Sequence, residues 1–216
     1  MCKQKTQYNG EGQVSASAYN FLRYMRLPRW VSTHSQVREV LSRNPDSVLE
    51  VGKGLGVFAY LIKQAGVKYT SVDVASDLGP DVVASVTELP FSDNSFDIAV
   101  AFQVLEHMPY EDFTVSVQEL VRVARRYVII SLPHYGPNLQ LSWKIPGVRH
   151  MQLACRLPFP KKHEFDGQHF WEIGKKDYPL RRIVGDIQQY AELEHTFVLY
   201  ENRAHRFFVL NVNKLK

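Results

Sequence analysis

A chain of 216 residues with 45% hydrophobic and 22% charged side chains has the size and composition of one globular domain, or of one domain with a sizeable insertion. A formal charge of +4, from 26 Lys and Arg against 22 Asp and Glu, is too small for a dedicated nucleic-acid binder, so a nucleic-acid partner is not expected. No apolar run approaches the roughly 20 residues that cross a bilayer, and no signal-like segment opens the chain, so a cytoplasmic protein without a membrane partner is expected.

In chain order, residues 1–13 are polar and are expected to be loose. Cys2 and Cys155 stand far apart with no companion cysteine at zinc-like or redox spacing, which suits a reducing compartment and makes neither a nucleophile candidate. Val37, Val40 and Leu41 mark one face of a helix over 33–43, with Ser32 or Thr33 as its cap and "NPD" as its stop. Val48 to Val51 reads as a buried strand. Val57 to Ala65 reads as a helix, since Val57, Phe58, Leu61, Ile62 and Ala65 share a face that Gly66 ends. Strands follow at Tyr69–Val74, Asp81–Val86 and Phe96–Phe102, then a helix at Asp112–Arg125 and a strand at Tyr127–Leu132. Strand alternating with helix predicts an α/β domain with a parallel sheet. The rhythm breaks over 135–177, a stretch rich in Pro, His, Lys and aromatics. It resumes with a helix opened by Pro179 and a terminal hairpin, "LEHTFVLY" and "AHRFFVLNV".

The stretch "VLEVGKGLG", Val48 to Gly56, sets three glycines at alternate positions between a strand and a helix, where missing Cβ atoms let a ligand approach the backbone. A dinucleotide fingerprint needs glycine at position 57, which is Val, and a phosphate loop ending in Gly-Lys-Ser/Thr is absent. Glu50-Val-Gly-Lys-Gly-Leu-Gly56 instead resembles the acidic-x-Gly-x-Gly-x-Gly signature of S-adenosylmethionine-dependent methyltransferases with a Rossmann-like fold. "LPFSDNSFDIAVAFQVLEHM", Leu89 to Met108, is similar to the same family's fourth-strand region, and the resemblance covers 47–134.

The resemblance implies a doubly wound, mostly parallel seven-stranded sheet with an antiparallel last strand, and S-adenosylmethionine lying across the first two strands. Glu50 and the loop glycines Gly52, Gly54 and Gly56 then face the cofactor. Asp73, beside Val74, corresponds to the ribose ligand, Val86 to an adenine neighbour, and Phe102 and Gln103 to the lip after the fourth strand. Ser85 stands where many relatives carry an Asp that pairs with the adenine amine. Lys53 replaces a small or neutral residue, and either reaches the methionine carboxylate of the cofactor or stays outward and solvated.

Methyl transfer from a sulfonium is an in-line displacement, so alignment and exclusion of water matter more than proton transfer. If a general base is used, His107 and His134 are the candidates, both expected past carboxyl ends of strands. Residues 135–177 are expected to form a lid outside the sheet, with Phe170 and Trp171 over a small-molecule acceptor and His134 at its root. Within it, "HEFDGQHFWEIG" contains His163, Glu164, Asp166 and His169, but the spacing matches no compact site, so no metal is expected. Seven basic residues against four acids in this stretch suit either a solvated face or an anionic substrate. The expected activity is S-adenosylmethionine-dependent methyl transfer to oxygen or nitrogen of a small molecule. A methyltransferase acting on RNA or protein, or a non-catalytic binding module, are the alternatives.

Overall fold

The computed structural model describes residues 20–147 and 150–214, with the backbone alone at Arg23 and Lys214. The expectations for residues 1–13 and Cys2 lie outside the described residues. Seven strands form one sheet in the order β3-β2-β1-β4-β5-β9-β8. They are β1 (Ser47–Val51), β2 (Lys68–Asp73), β3 (Val82–Val83), β4 (Phe96–Phe102), β5 (Ala124–Pro133), β8 (Glu192–Val198) and β9 (His205–Asn211). The pairs from β3 through β5 are parallel, while β9 runs antiparallel to both β5 and β8. This is the doubly wound, mostly parallel sheet with an antiparallel last strand that the family resemblance implies.

Alternation along β1 explains the two-layer burial. Val48 packs with Val40, Phe58 and Ile62 on one face, and its neighbour Leu49 packs with Phe113, Val117 and Leu120 on the other. The first face is covered by α2 (Leu27–Leu41) and α3 (Val57–Gln64), the second by α4 (Tyr110–Val123) and α5 (Leu180–Ile187). A four-residue helix, α1 (Phe21–Tyr24), precedes α2. Strands buried on both faces read as unbroken apolar runs, which is why "FDIAVAF" is legible as β4. Near its start Asp97, 4% exposed, accepts from the Asp46 and Ser47 amides at 2.8 and 3.2 Å and from Arg125 at 2.8 Å, tying β1, β4 and β5 together.

Three expectations need correction. The helix predicted over 33–43 begins at Leu27, because Pro28 supplies the fixed φ that suits a first turn; Ser32 and Thr33 are therefore buried inside it and do not cap it. The strand predicted over Asp81–Val86 shrinks to Val82–Val83, since the chain turns once Ser85 bonds to Thr87. Residues 135–177, read as irregular, contain an antiparallel pair, β6 (Asn138–Trp143) and β7 (Met151–Arg156), separate from the main sheet.

Candidate active site

The order of strands reverses between β1 and β4, and in such sheets ligands bind beyond the carboxyl ends at that point. Gly52 leaves β1 there with φ +81°, followed by Gly54 at +50° and Gly56 at +70°. All three lie in the left-handed region that favours glycine. A Cβ on Gly52 would stand 2.2 Å from Val104 Cγ2, so the position excludes every side chain on steric grounds as well. Gly56 is the N-cap of α3 and brings no side chain to that helix end, which leaves its first N–H groups open to a ligand. Glu50 is 3% exposed and accepts a hydrogen bond from the Tyr69 hydroxyl. Burial raises its pKa to about 8, against the pull of that hydrogen bond.

Two adjoining spaces occupy this end of the sheet. A narrow cleft of about 70 Å³ is lined by Glu50, Gly52, Lys53, Gly54, Gly56 and Phe102. A larger one of about 820 Å³ is lined by Gln103, Glu106, His107, His134, His169 and Glu172, among others. Tyr24, Arg29 and His205 border both, so the two spaces meet across these three residues. Asp73, Val74, Ser85 and Val86 border neither. Asp73 ends β2 opposite Val83, where its Oδ1 accepts from the Ala75 amide at 3.0 Å, and Ser85 follows two residues after Val83. Val86 is buried in the core. Gln103, with φ +58°, turns the chain after β4, and its amide donates to the Ser131 carbonyl at 2.9 Å. Lys53 borders the narrow cleft, and its ammonium donates to the carbonyl of Gly79, in the turn after β2.

The two histidines predicted here differ in what they can do. His107 lies in a 3-10 turn (Leu105–His107) after β4, with Nδ1 3.0 Å from the Gln168 carbonyl. A carbonyl only accepts, so Nδ1 carries the proton and Nε2 keeps a free lone pair. Burial also holds its pKa below the ordinary value, which favours that neutral form. His134 follows β5 and is 8% exposed; its Nδ1 accepts from Arg206 Nε at 2.9 Å. Burial, then the charges of Arg156, Arg206 and Arg203, push its pKa down to about 3. Neutral, with Nδ1 occupied, it carries its proton on Nε2 and can donate but not accept there. Its geometry is that of a hydrogen-bond donor, whereas His107 has the geometry of a base.

Residues 163–174 lie on the same side. The Phe170 amide donates to the Glu106 carbonyl at 2.9 Å, and Gln168, His169 and Glu172 border the larger cleft. Trp171 was expected over the acceptor, but it is fully buried in the main core against Phe113 and Tyr110, with ring centroids 5.0 Å from each. Burial pulls the His169 pKa down, yet the hydrogen bond with Glu172 and the charges of Glu106 and Asp166 carry it above its ordinary value. Glu106, whose neighbours in sequence gave no sign of its burial, is 0% exposed with a pKa raised by burial to about 8. Glu106, His169, Arg29 and His205 were not among the predicted site residues. Arg29 and His205 sit far from the glycine loop in sequence, and only the tertiary fold brings them to it.

Comparison with known proteins agrees with this geometry. Residues 49–131 match the family model of the methyltransferase domain. An uncharacterized methyltransferase of Mycobacterium avium is 40% identical over 151 residues, covering 61% of this chain and 58% of that protein. The chain thus spans a little over half the length of that relative. Among solved structures, a Pyrococcus horikoshii protein superposes with a TM-score of 0.60 at 12% identity, covering 91% of this chain and 93% of that one. The 1,6-didemethyltoxoflavin-N1-methyltransferase of Burkholderia thailandensis, solved with 1,6-didemethyltoxoflavin and S-adenosylhomocysteine, superposes with a TM-score of 0.59 at 13% identity, covering 88% and 80%. At these identities the structures speak for the fold alone, and the sequence match speaks for the stretch it covers. With the glycine loop at the switch point and the strand order of the sheet, residues 49–131 form a methyltransferase domain of the S-adenosylmethionine-dependent, Rossmann-like type.

Proposed function

We propose that the chain transfers the methyl group of S-adenosylmethionine to an oxygen or nitrogen of a small-molecule acceptor held in the 820 Å³ cleft. The observation that carries the proposal is the junction of the two spaces, with a loop of left-handed glycines bordering one and His107 bordering the other. The cofactor supplies an electrophilic methyl on a sulfonium.

The protein's part is to bind and to align. Gly52, Gly54 and Gly56 would let the ligand meet backbone, and the Asp73 carboxylate, at the end of β2, would accept from the ribose hydroxyls. Arg29 borders both spaces and is the cation we assign to the methionine carboxylate, since Lys53 is held by Gly79. Ser85, two residues after β3, would stand on the adenine side, while Val86 is buried in the core. His107 Nε2 would accept a proton from an acceptor that still holds one, and His134, with its arginine neighbours, would donate to an anionic group of the same molecule. A cleft of this volume suits a compact acceptor. Support also comes from the Burkholderia neighbour, whose structure holds a small-molecule ligand.

The reading is tested by incubating the chain with S-adenosylmethionine and a panel of small aromatic and heterocyclic acids, phenols and amines, while following S-adenosylhomocysteine. Turnover that falls at least tenfold in His107→Gln, with cofactor affinity kept, supports it. Turnover on RNA or protein substrates alone would replace it.

A further inference from the structure

Glu106 poses a problem that the rest of the site does not solve. Its carboxylate is fully buried, and neither oxygen finds a hydrogen-bond partner among the described residues. Leaving a buried acceptor unpaired is costly, and more so when it is charged, so such a group calls for an explanation. Methyl transfer gives none, because the neighbouring His107 already offers the proton acceptor that the reaction can use.

Two imidazoles converge on this carboxylate, one adjacent in sequence and one from a distant part of the chain. His107 follows Glu106 directly, and His169 is brought in by the hydrogen bond between the Phe170 amide and the Glu106 carbonyl. The two rings stand 5.2 Å apart, and one donor atom from each of Glu106, His107 and His169 lies within 4.8 Å of the others. Both rings are held at Nδ1, His107 by the Gln168 carbonyl at 3.0 Å and His169 by the Glu172 carboxylate at 2.9 Å. Each Nδ1 therefore donates, and each Nε2 is left with its lone pair. Histidines that ligate a metal are fixed in this way, by a carbonyl or carboxylate on the other nitrogen.

We propose that Glu106, His107 and His169 form a binding site for a divalent first-row transition-metal ion beside the acceptor cleft. Two imidazoles with one carboxylate suit zinc or ferrous iron, whereas magnesium and calcium prefer oxygen ligands alone. Donors of one tetrahedral ion, each about 2.1 Å from it, stand about 3.4 Å apart, so binding needs a contraction on the order of 1 Å. Asp166, His169 and Glu172 also come within 4.8 Å of one another. That group lacks the same need: Asp166 is exposed and already accepts from the Gln168 and His169 amides at 2.9 and 2.8 Å, and Glu172 holds His169. Three protein ligands leave a coordination position for the cleft, where a hydroxyl or carboxylate oxygen of the acceptor fits. With the ion bound, a hydroxyl there gives up its proton to water more readily, and His107 acts as the base only in the metal-free chain.

The metal-depleted full chain is titrated with zinc by calorimetry, and with cobalt by visible absorption. The expected result is about one equivalent bound, not displaced by millimolar magnesium. Affinity should fall at least tenfold in both Glu106→Gln and His169→Gln, and stay within about threefold in Asp166→Asn. Circular dichroism of each variant checks folding, and the two near-isosteric replacements provide independent readings. No stoichiometric binding, binding unchanged in both Glu106→Gln and His169→Gln, or a loss confined to Asp166→Asn would overturn the site. A parallel titration with S-adenosylhomocysteine reads the methyltransferase half by itself, so failure of one claim leaves the other standing or falling on its own data.

Discussion

Between Ser47 and Pro133 nearly every strand leads into a helix or turn that packs back on the sheet, and the glycine loop opens at the carboxyl end of β1. Between residues 135 and 177 the chain makes a hairpin with exposed Leu139, Leu141 and Leu153, then a stretch with little regular structure that nonetheless buries Trp171 and Ile173 completely. The first region obtains its site from backbone geometry, as left-handed glycines at a switch point. The second brings side chains together across the fold, as His169 is brought to Glu106. A region without periodicity is therefore not a region without a core role, and its aromatics divide between anchor and cleft.

The largest effect expected tests that division. Trp171→Ala should cost about 3–5 kcal/mol in urea denaturation, the usual price of emptying a fully buried large aromatic. A loss below about 1 kcal/mol would return Trp171 to a mobile cover. Next come two glycines that share a positive φ but not a neighbourhood. Gly52→Ala should cost about 2–4 kcal/mol because its Cβ meets Val104, while Gly66→Ala, with nothing within 4 Å, should cost about 1 kcal/mol of backbone strain alone. Equal costs would remove the close approach from the account of the loop.

A pH series sharpens the contrast within the first region. The folded-state pKa of Glu50, about 8, lies above its ordinary value of 4.5. The native state therefore holds the proton more tightly than the unfolded chain, and stability present below pH 4.5 is lost as pH rises toward 8. Glu50→Gln removes that dependence, so it should gain on the order of 1–3 kcal/mol over wild type at pH 8 and nothing at pH 4.5. A gain equal at both pH values would show that the effect is packing. The smallest effect is expected at Lys53: since its ammonium is held by Gly79, Lys53→Met should leave S-adenosylhomocysteine affinity within about threefold, whereas Arg29→Met should lower it about tenfold. The reverse order would restore Lys53 as the carboxylate partner.

The legible parts of the molecule are those where a local rule repeats. Apolar runs in β1, β4 and β5, the 3.6-residue faces of α3 and α4, and the glycine triplet each carry their meaning within a dozen residues. The start of α2 was missed although Pro28 offers the same signal that located α5 after Pro179, because its polar face hides the period. The two-residue β3 was overread, since a short edge strand and the turn at Ser85 share one apolar run. The convergence of Glu106 with His169, the placement of Arg29 and His205, and the burial of Trp171 are products of tertiary contact, and no spacing in the sequence encodes them. His107 and His134 look alike in sequence, and only the partners of their Nδ1 atoms, a carbonyl for one and a guanidinium for the other, separate acceptor from donor.

The central claim is that the carboxyl ends of β1 and β2 hold S-adenosylmethionine, and calorimetric titration of S-adenosylhomocysteine into wild type and Asp73→Ala tests it most directly. Wild type should bind one equivalent, and Asp73→Ala should lose about 1.5–3 kcal/mol, some 10- to 100-fold, the range for hydrogen bonds to a charged group. No binding by the wild-type chain, or equal binding by Asp73→Ala, would contradict the account.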